Sequence, residues 1–242
     1  ASFRRVIAKY GKPDVMWTEF VSADGLVRAP EEGRKKLMKD LEYTESERPI
    51  VAQFFTSKPE MMEKAAILAR ELGFDGIDIN MGCPDKAIER QGAGAALIKD
   101  PILAQEIIYA AKQGGLHLPV SVKTRVGFNT VELETWVPKI LEAKPAALTI
   151  HARTRKEMSK VPARWEHVAR TVVIRNDMRS DTYILGNGDV KDVVEAKVRV
   201  DETGCDGVML GRAIFGNPFL FTKEKPHEGV EGLKLRLGVL VE

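Results

Sequence analysis

At 242 residues and 26.9 kDa, with 44% hydrophobic and 30% charged side chains, the chain can build one large soluble core, which excludes disorder as its main state. The 37 basic and 35 acidic residues leave a net charge of +2, too balanced for a general nucleic-acid-binding coat, so any such partner must be held by a local patch. Two cysteines, Cys83 and Cys205, exclude a disulfide framework and a cysteine-rich metal site, and no metal site is read elsewhere. With no apolar run of about 18 residues and no signal-peptide pattern, the expected location is cytoplasmic, away from membranes.

The chain opens on Ala1-Ser2-Phe3-Arg4-Arg5, already helix-like and without an initiator methionine, so a first strand and its loop are expected ahead of it. Short β-branched or apolar runs then alternate with amphipathic stretches. Strands are predicted at Val15–Thr18, Ile50–Phe54, Gly76–Asn80, Val120–Arg125, Ala147–His151, Tyr183–Gly186 and Gly207–Leu210. Helices are predicted at Pro59–Leu72, Pro101–Gln113, Val131–Ala143 and Val190–Thr203; in the first of these, Met62, Ala65, Ala66, Ala69 and Leu72 recur at helical spacing. The stretch Thr171–Asp181 reads as irregular. Such alternation implies parallel strands with helical crossovers, either a TIM (β/α)8 barrel short of its first strand or an open doubly wound sheet. Polar residues end nearly every strand (Gln53, Asn80, Lys123, His151, Asn187 and Arg212), and a barrel gathers all such ends around one pocket, so the barrel is favoured. The barrel domain is placed at residues 1–222. Residues 223–242 are read as the remnant or start of a C-terminal helical segment, with one short amphipathic helix in Gly232–Val241.

The most informative motif is Asp78-Ile79-Asn80-Met81-Gly82-Cys83-Pro84, in which a buried strand ends, glycine allows a tight turn and a thiol is presented at the strand's C-terminal end. Such a thiol can act as nucleophile or proton donor, although a lone free cysteine is often a packed residue. Cys205, ahead of a strand, reads as packing. The glycine-rich Arg90–Leu97 run lacks both the Gly-Lys-Ser/Thr ending of a phosphate loop and the third glycine of a dinucleotide fingerprint, so it is read as a loop packed over the pocket. Lys123 and Arg125 share one face of their strand, and a cation turned into a barrel mouth needs a partner such as an anionic ligand; a Schiff-base lysine is the competing chemistry. His151 is followed by Arg153, Arg155, Lys156, Lys160 and Arg164, opposed locally only by Glu157, either a solvated face or a phosphate-contacting patch. Gly186-Asn187-Gly188-Asp189 and Gly211-Arg212-Ala213 read as two glycine-opened helix starts on adjacent late strands, an arrangement by which barrels hold phosphates; the alternative for Asp189 is a helix cap.

Taken together, Asn80–Pro84, Gly92–Leu97, Val122–Arg125, His151–Thr154, Gly186–Asp189 and Gly211–Ala213 resemble, in order and spacing, the tRNA-dihydrouridine synthases over about Phe3 to Phe221. The resemblance implies a flavin-dependent TIM barrel, followed by a small helical domain, that reduces uridines in tRNA with FMN, NADPH being the electron donor. It implies that Cys83 is the general acid that protonates C5 while hydride reaches C6, and that Asn80 orients the uracil. Gln53 and Lys123 would contact the flavin ring, while His151, Asn187, Gly188, Asp189, Gly211 and Arg212 would surround its ribityl and phosphate. Arg125 and Arg153 are the candidates for contacts to the target nucleotide. The uridine must leave its stack to enter such a pocket. The family's N-terminal strand and most of its helical domain have no counterpart here. Three alternatives remain: a flavin-dependent reductase of a small pyrimidine or enone, a Lys123 Schiff-base aldolase and a non-enzymatic RNA-binding protein. No obligate protein partner is inferred.

Overall fold

The computed structural model describes residues 2–222. Its strands are β1 (Met16–Trp17), β2 (Val21–Ser22), β3 (Ile50–Phe55), β4 (Gly76–Met81), β5 (Val120–Arg125), β6 (Ala147–His151), β7 (Tyr183–Asn187) and β8 (Gly207–Val208). The helices are α1 (Ser2–Tyr10), α2 (Ala23–Arg28), α3 (Glu31–Asp40), α4 (Pro59–Glu71), α5 (Lys86–Arg90), α6 (Pro101–Gly115), α7 (Leu133–Glu142), α8 (Glu166–Asp177) and α9 (Val193–Thr203). Every strand pairing is parallel, in the order β1-β3-β4-β5-β6-β7-β8, and β2 also pairs with β3 beyond β1. The seven predicted strands are therefore all present, in TIM-barrel order, with β2 a short addition. Between the edge strands β1 and β8 lies an apolar slot of about 780 Å³, lined by Phe3, Ile7, Met16, Trp17, Leu210 and Phe215 among others, so the described sheet is an open curl of the barrel. The helix expected in Gly232–Val241 lies outside the described residues.

Local sequence explains most boundaries. Pro59 sits in the first turn of α4, where its missing N–H is harmless, and Met61, Met62, Ala65, Ala66 and Ala69 form the buried face. Helix α6 starts where Asp100 accepts from the Leu103 amide at 3.1 Å, with Pro101 next. These two helices pack so closely that a Cβ on Gly114 would lie 2.2 Å from the Glu63 carbonyl oxygen. Strand β4 is buried at every position, as a central parallel strand covered on both faces must be. Under α7, fully buried Trp136 donates its indole N–H to Thr124 Oγ1 at 3.2 Å, so its large apolar ring is covered without orphaning its polar edge.

Two sequence readings need correction. Thr171–Asp181 is not irregular: α8 runs to Asp177, burying Val168, Thr171, Val172 and Ile174. Its β-branched content disguised it, and Thr171 Oγ1 returns to the His167 carbonyl at 2.8 Å, one turn back, which satisfies the hydroxyl inside a helix. The late glycines do not open two helices. Gly186 and Asn187 finish β7, α9 begins only at Val193 with Asp192 as its cap, and Gly211 precedes a single 3-10 turn, Arg212–Ile214. Gly186 is glycine because Trp165 lies against the strand there: a Cβ would sit 2.2 Å from its ring.

Candidate active site

The C-terminal ends of β3 to β8 converge on one mouth, where barrels carry their chemistry. Strand register places Gln53 beside Asp78, Asp78 beside Ser121, Asn80 beside Lys123, and Arg125 beside His151, which in turn neighbours Asn187. Period-2 alternation aims these polar groups into the barrel while Ile79, Val122 and Ile150 pack outward under the helices.

Cys83 stands on the turn after β4, and the turn is held from several sides. Asn80 Oδ1 accepts from the Gly82 amide at 3.2 Å and the Cys83 amide at 2.9 Å. Arg125 Nε donates to the Gly82 carbonyl at 2.7 Å, and the Ala95 amide donates to the Cys83 carbonyl at 3.0 Å. Asp85 then caps α5 through the Ala87 amide at 2.8 Å. The glycine-rich run packs over this turn as expected. Gly94 has φ +62°, and a Cβ there would lie 2.8 Å from the Cys83 carbonyl oxygen. The Cys83 thiol is half-buried, and burial pushes it above the ordinary thiol range. A thiol so placed keeps its proton at neutral pH, which suits an acid better than a nucleophile, since nucleophilic attack needs the thiolate. Cys205 is a packed residue, 3% exposed.

Beneath the turn lies a polar cluster. Gln53 Nε2 donates to Asp78 Oδ2 at 2.7 Å, and Asn80 Nδ2 donates to Gln53 Oε1 at 3.3 Å. Ser121 Oγ donates to the other Asp78 oxygen. Asp78 is fully buried, and desolvation pushes its carboxyl up to about 6 against the pull of these hydrogen bonds and of Lys123. Desolvation, then Arg125, pulls Lys123 down to about 8; its ammonium donates to Asn187 Oδ1 at 3.3 Å. Asn187 in turn donates through Nδ2 to the Met209 carbonyl at 2.7 Å, which fixes its amide with oxygen toward the lysine.

The late strands enclose a cavity of about 450 Å³, lined by His151, Arg153, Asn187, Gly188, Asp189, Gly211 and Arg212 with several neighbours. His151 is held neutral: desolvation first, and then Arg125, Lys123 and Arg153, depress its pKa far below the usual imidazole range. Arg153 Nη1 lies 3.3 Å from His151 Nε2, and a guanidinium only donates, so the histidine carries its hydrogen on Nδ1. Asp189 is not a helix cap. It pairs with Arg153, accepts from the Ala163 amide at 2.9 Å and meets Arg212 at 3.1 Å, and the Arg153 bond above all keeps its carboxyl low. A Cβ on Gly211 would meet nothing within 4 Å, so that wall is open to a ligand.

The two residues expected to contact the target nucleotide are both buried. Arg125 is 7% exposed, and besides Gly82 it holds the carbonyls of Thr154 and Met158, each at 3.2 Å. Arg153 is 2% exposed and bonds Asp189 and the Val161 carbonyl. Both are wall residues that tie loops together, because a buried guanidinium must satisfy its donors. Asn80, expected at the uracil, has its oxygen on the turn amides and its nitrogen toward Gln53. The basic run is also less bare than it reads: Glu89 pairs with Arg155, and Glu157 with Arg164 at 2.8 Å, leaving Lys156 and Lys160 exposed. Asp78, Ser121 and Glu89 were not singled out from sequence. Alternation could have exposed Asp78, two residues before Asn80 on the same inward face of a strand.

Lys123 and Arg212 thus face this mouth, with buried Arg125 and Arg153 in its wall, against the carboxylates Asp78 and Asp189. A partly desolvated cationic excess beside an open glycine wall fits a planar anionic group with a phosphate tail, and FMN is such a group.

The family model described as Dihydrouridine synthase (Dus) matches residues 1–233. The chain is 44% identical over 235 residues to a Bacillus subtilis (strain 168) protein named probable tRNA-dihydrouridine synthase 2, covering 96% of this chain and 71% of that one. It is 41% identical to a Staphylococcus aureus (strain COL) protein named probable tRNA-dihydrouridine synthase, covering 96% and 70%. Among solved structures, histamine dehydrogenase from Rhizobium sp. 4-9 aligns with a TM-score of 0.62 at 12% identity, over 91% of this chain and 42% of that one. A mutant flavocytochrome b2 with benzoylformate aligns at 0.56 and 17% identity, over 98% and 58%. At such identities these two show the shared barrel fold alone.

Proposed function

Because this chain belongs to the dihydrouridine synthase family and reduces uridine in tRNA to dihydrouridine, we propose that Cys83 is the general acid of that reduction, opposite an FMN held by the late strands. FMN bound there would supply the hydride that reaches C6 of the uracil. The chain's own residues do the rest. Cys83, its thiol kept protonated by burial, delivers a proton to C5 from the turn after β4. Lys123 offers an ammonium to negative charge on the flavin ring, oriented by Asn187, and Gln53 on β3 is assigned to the same ring. Neutral His151, with a hydrogen on Nδ1, and Arg212 line the cavity assigned to the ribityl chain and phosphate, beside Asn187, Gly188, Asp189 and Gly211. NADPH is assigned as the electron donor. The observation that carries the reading is that one barrel mouth holds both a half-buried thiol, on the turn after β4, and a cation-lined cavity. Among the described residues, no helix is long and apolar enough to cross a membrane.

The test is anaerobic. The FMN-reconstituted protein, reduced in the absence of oxygen, is mixed with unmodified tRNA or with free uridine. Rapid flavin reoxidation by tRNA, with dihydrouridine formed, is the expected result. A bound flavin indifferent to tRNA but reoxidised by a small pyrimidine or enone would overturn the substrate assignment, and failure to bind FMN would overturn the cofactor.

A further inference from the structure

A buried carboxylate at the floor of the barrel mouth lies three hydrogen bonds from the turn that carries Cys83. We propose that Asp78 is a positioning residue for the thiol, acting through a polarised chain in which Gln53 and Asn80 are the links. The proposal rests on the reading of Cys83 as proton donor.

Donor and acceptor capacity fixes the direction of this chain. A side-chain amide has an oxygen end that only accepts and a nitrogen end that only donates, and each can be flipped. Ionised Asp78 only accepts, so Gln53 must turn Nε2 toward it, at 2.7 Å. That leaves Gln53 Oε1 facing Asn80, which must answer with Nδ2, at 3.3 Å. Asn80 Oδ1 then points at the amides of Gly82 and Cys83, which need an acceptor at 3.2 and 2.9 Å. The two ends of the chain impose the same polarity: acceptor-only carboxylate at the bottom, donor-only backbone at the top. Reversing any amide would set oxygen against oxygen or nitrogen against nitrogen in a buried site, where an unmet polar group is costly. Gln53, Asp78 and Asn80 are each no more than 7% exposed, so water cannot easily take over a broken link.

Ser121 makes the idea testable. Its hydroxyl donates to the second Asp78 oxygen, but it can rotate and accept instead, with the Ile77 carbonyl 3.4 Å away as its new acceptor. Asp78→Asn can therefore put its nitrogen toward Ser121 and keep an oxygen toward Gln53. That variant loses the charge beside Lys123 and keeps the chain; Asp78→Leu loses both.

The experiment measures single-turnover reoxidation of the reduced, FMN-loaded protein by tRNA, together with iodoacetamide alkylation of Cys83 in the oxidised, tRNA-free protein. Buried Cys205 leaves Cys83 as the reacting thiol. Asp78→Leu is expected to slow reoxidation by about 10- to 100-fold, the scale of a misplaced reacting group, and to speed alkylation at least threefold as the turn loosens. Asp78→Asn should restore both to within about threefold of wild type. In a Cys83→Ala background Asp78→Leu should cost little further, because both changes act on one proton transfer. If Asp78→Leu does not fold, Gln53→Leu breaks the same chain one link higher, and its alkylation rate should rise likewise. Additive losses, unchanged alkylation, or an Asn variant as impaired as the Leu variant would overturn the positioning role. A Cys83→Ala protein that reduces tRNA at the normal rate would instead overturn the reading beneath it.

Discussion

Replacing Gly94 by alanine perturbs the site without removing any functional group. At φ +62° an L-residue is strained by about 1–2 kcal/mol. The new methyl would also lie 2.8 Å from the Cys83 carbonyl oxygen, 2.9 Å from Ile88 Cγ2 and 3.3 Å from Cys83 Cβ. Overpacking of this kind costs about 1–3 kcal/mol, so the two effects together reach about 2–5 kcal/mol, a large part of the stability of an ordinary domain. Part of that strain is relieved by displacing the turn, because the nearest obstacle is the backbone of Cys83 itself. Urea denaturation should show the midpoint falling by the equivalent of at least about 2 kcal/mol. Single-turnover tRNA reduction should slow about tenfold or more, while FMN affinity, assigned chiefly to the cavity of His151, Gly188 and Arg212, stays largely unchanged. Stability within about 0.5 kcal/mol of wild type together with an unchanged rate would refute the claim that this loop buttresses the thiol.

Three further outcomes are expected. Arg125→Lys keeps the charge but cannot span the Gly82, Thr154 and Met158 carbonyls, so stability should fall by about 1–3 kcal/mol; full stability with selectively weakened tRNA binding would return Arg125 to direct nucleotide contact. Burial pulls Lys123 down to about 8, so an anionic ligand that needs its charge should bind evenly below about pH 7 and lose affinity as pH rises through 8. In Lys123→Met that pH dependence should vanish, and an identical profile in both proteins would remove the contact. Glu substitutions at exposed Lys156 and Lys160 should weaken tRNA binding and flatten its salt dependence, by about 0.7–0.9 in slope for each phosphate left without its lysine; an unaltered slope would mark them as solvated surface.

The strands and the long crossover helices were legible because β-branched runs and helical spacing report burial directly, as in Val120–Arg125 and Pro59–Glu71. The barrel-mouth residues were legible because they end those strands, and Cys83 because glycine and proline frame it. Helix α8 was hidden by its valines and threonine, whose local preference is overridden by packing against the barrel. Helix α3 buries no residue, so no apolar stripe announces it. The electrostatics of the basic run were not legible, since Arg155 is neutralised by Glu89, 66 positions earlier, and Arg153 by Asp189, 36 positions later. Asp78 was overlooked because a carboxylate inside a buried strand gains its meaning only from Gln53 and Ser121 on the neighbouring strands.

Cys83→Ala addresses the central claim most directly. Loaded with FMN, reduced anaerobically and mixed with unmodified tRNA, this variant should keep the wild-type flavin spectrum and tRNA affinity while reoxidising about 10²- to 10⁴-fold more slowly, the scale for loss of a positioned general acid. Wild-type rates of reoxidation and dihydrouridine formation would contradict it and remove the thiol from the reaction.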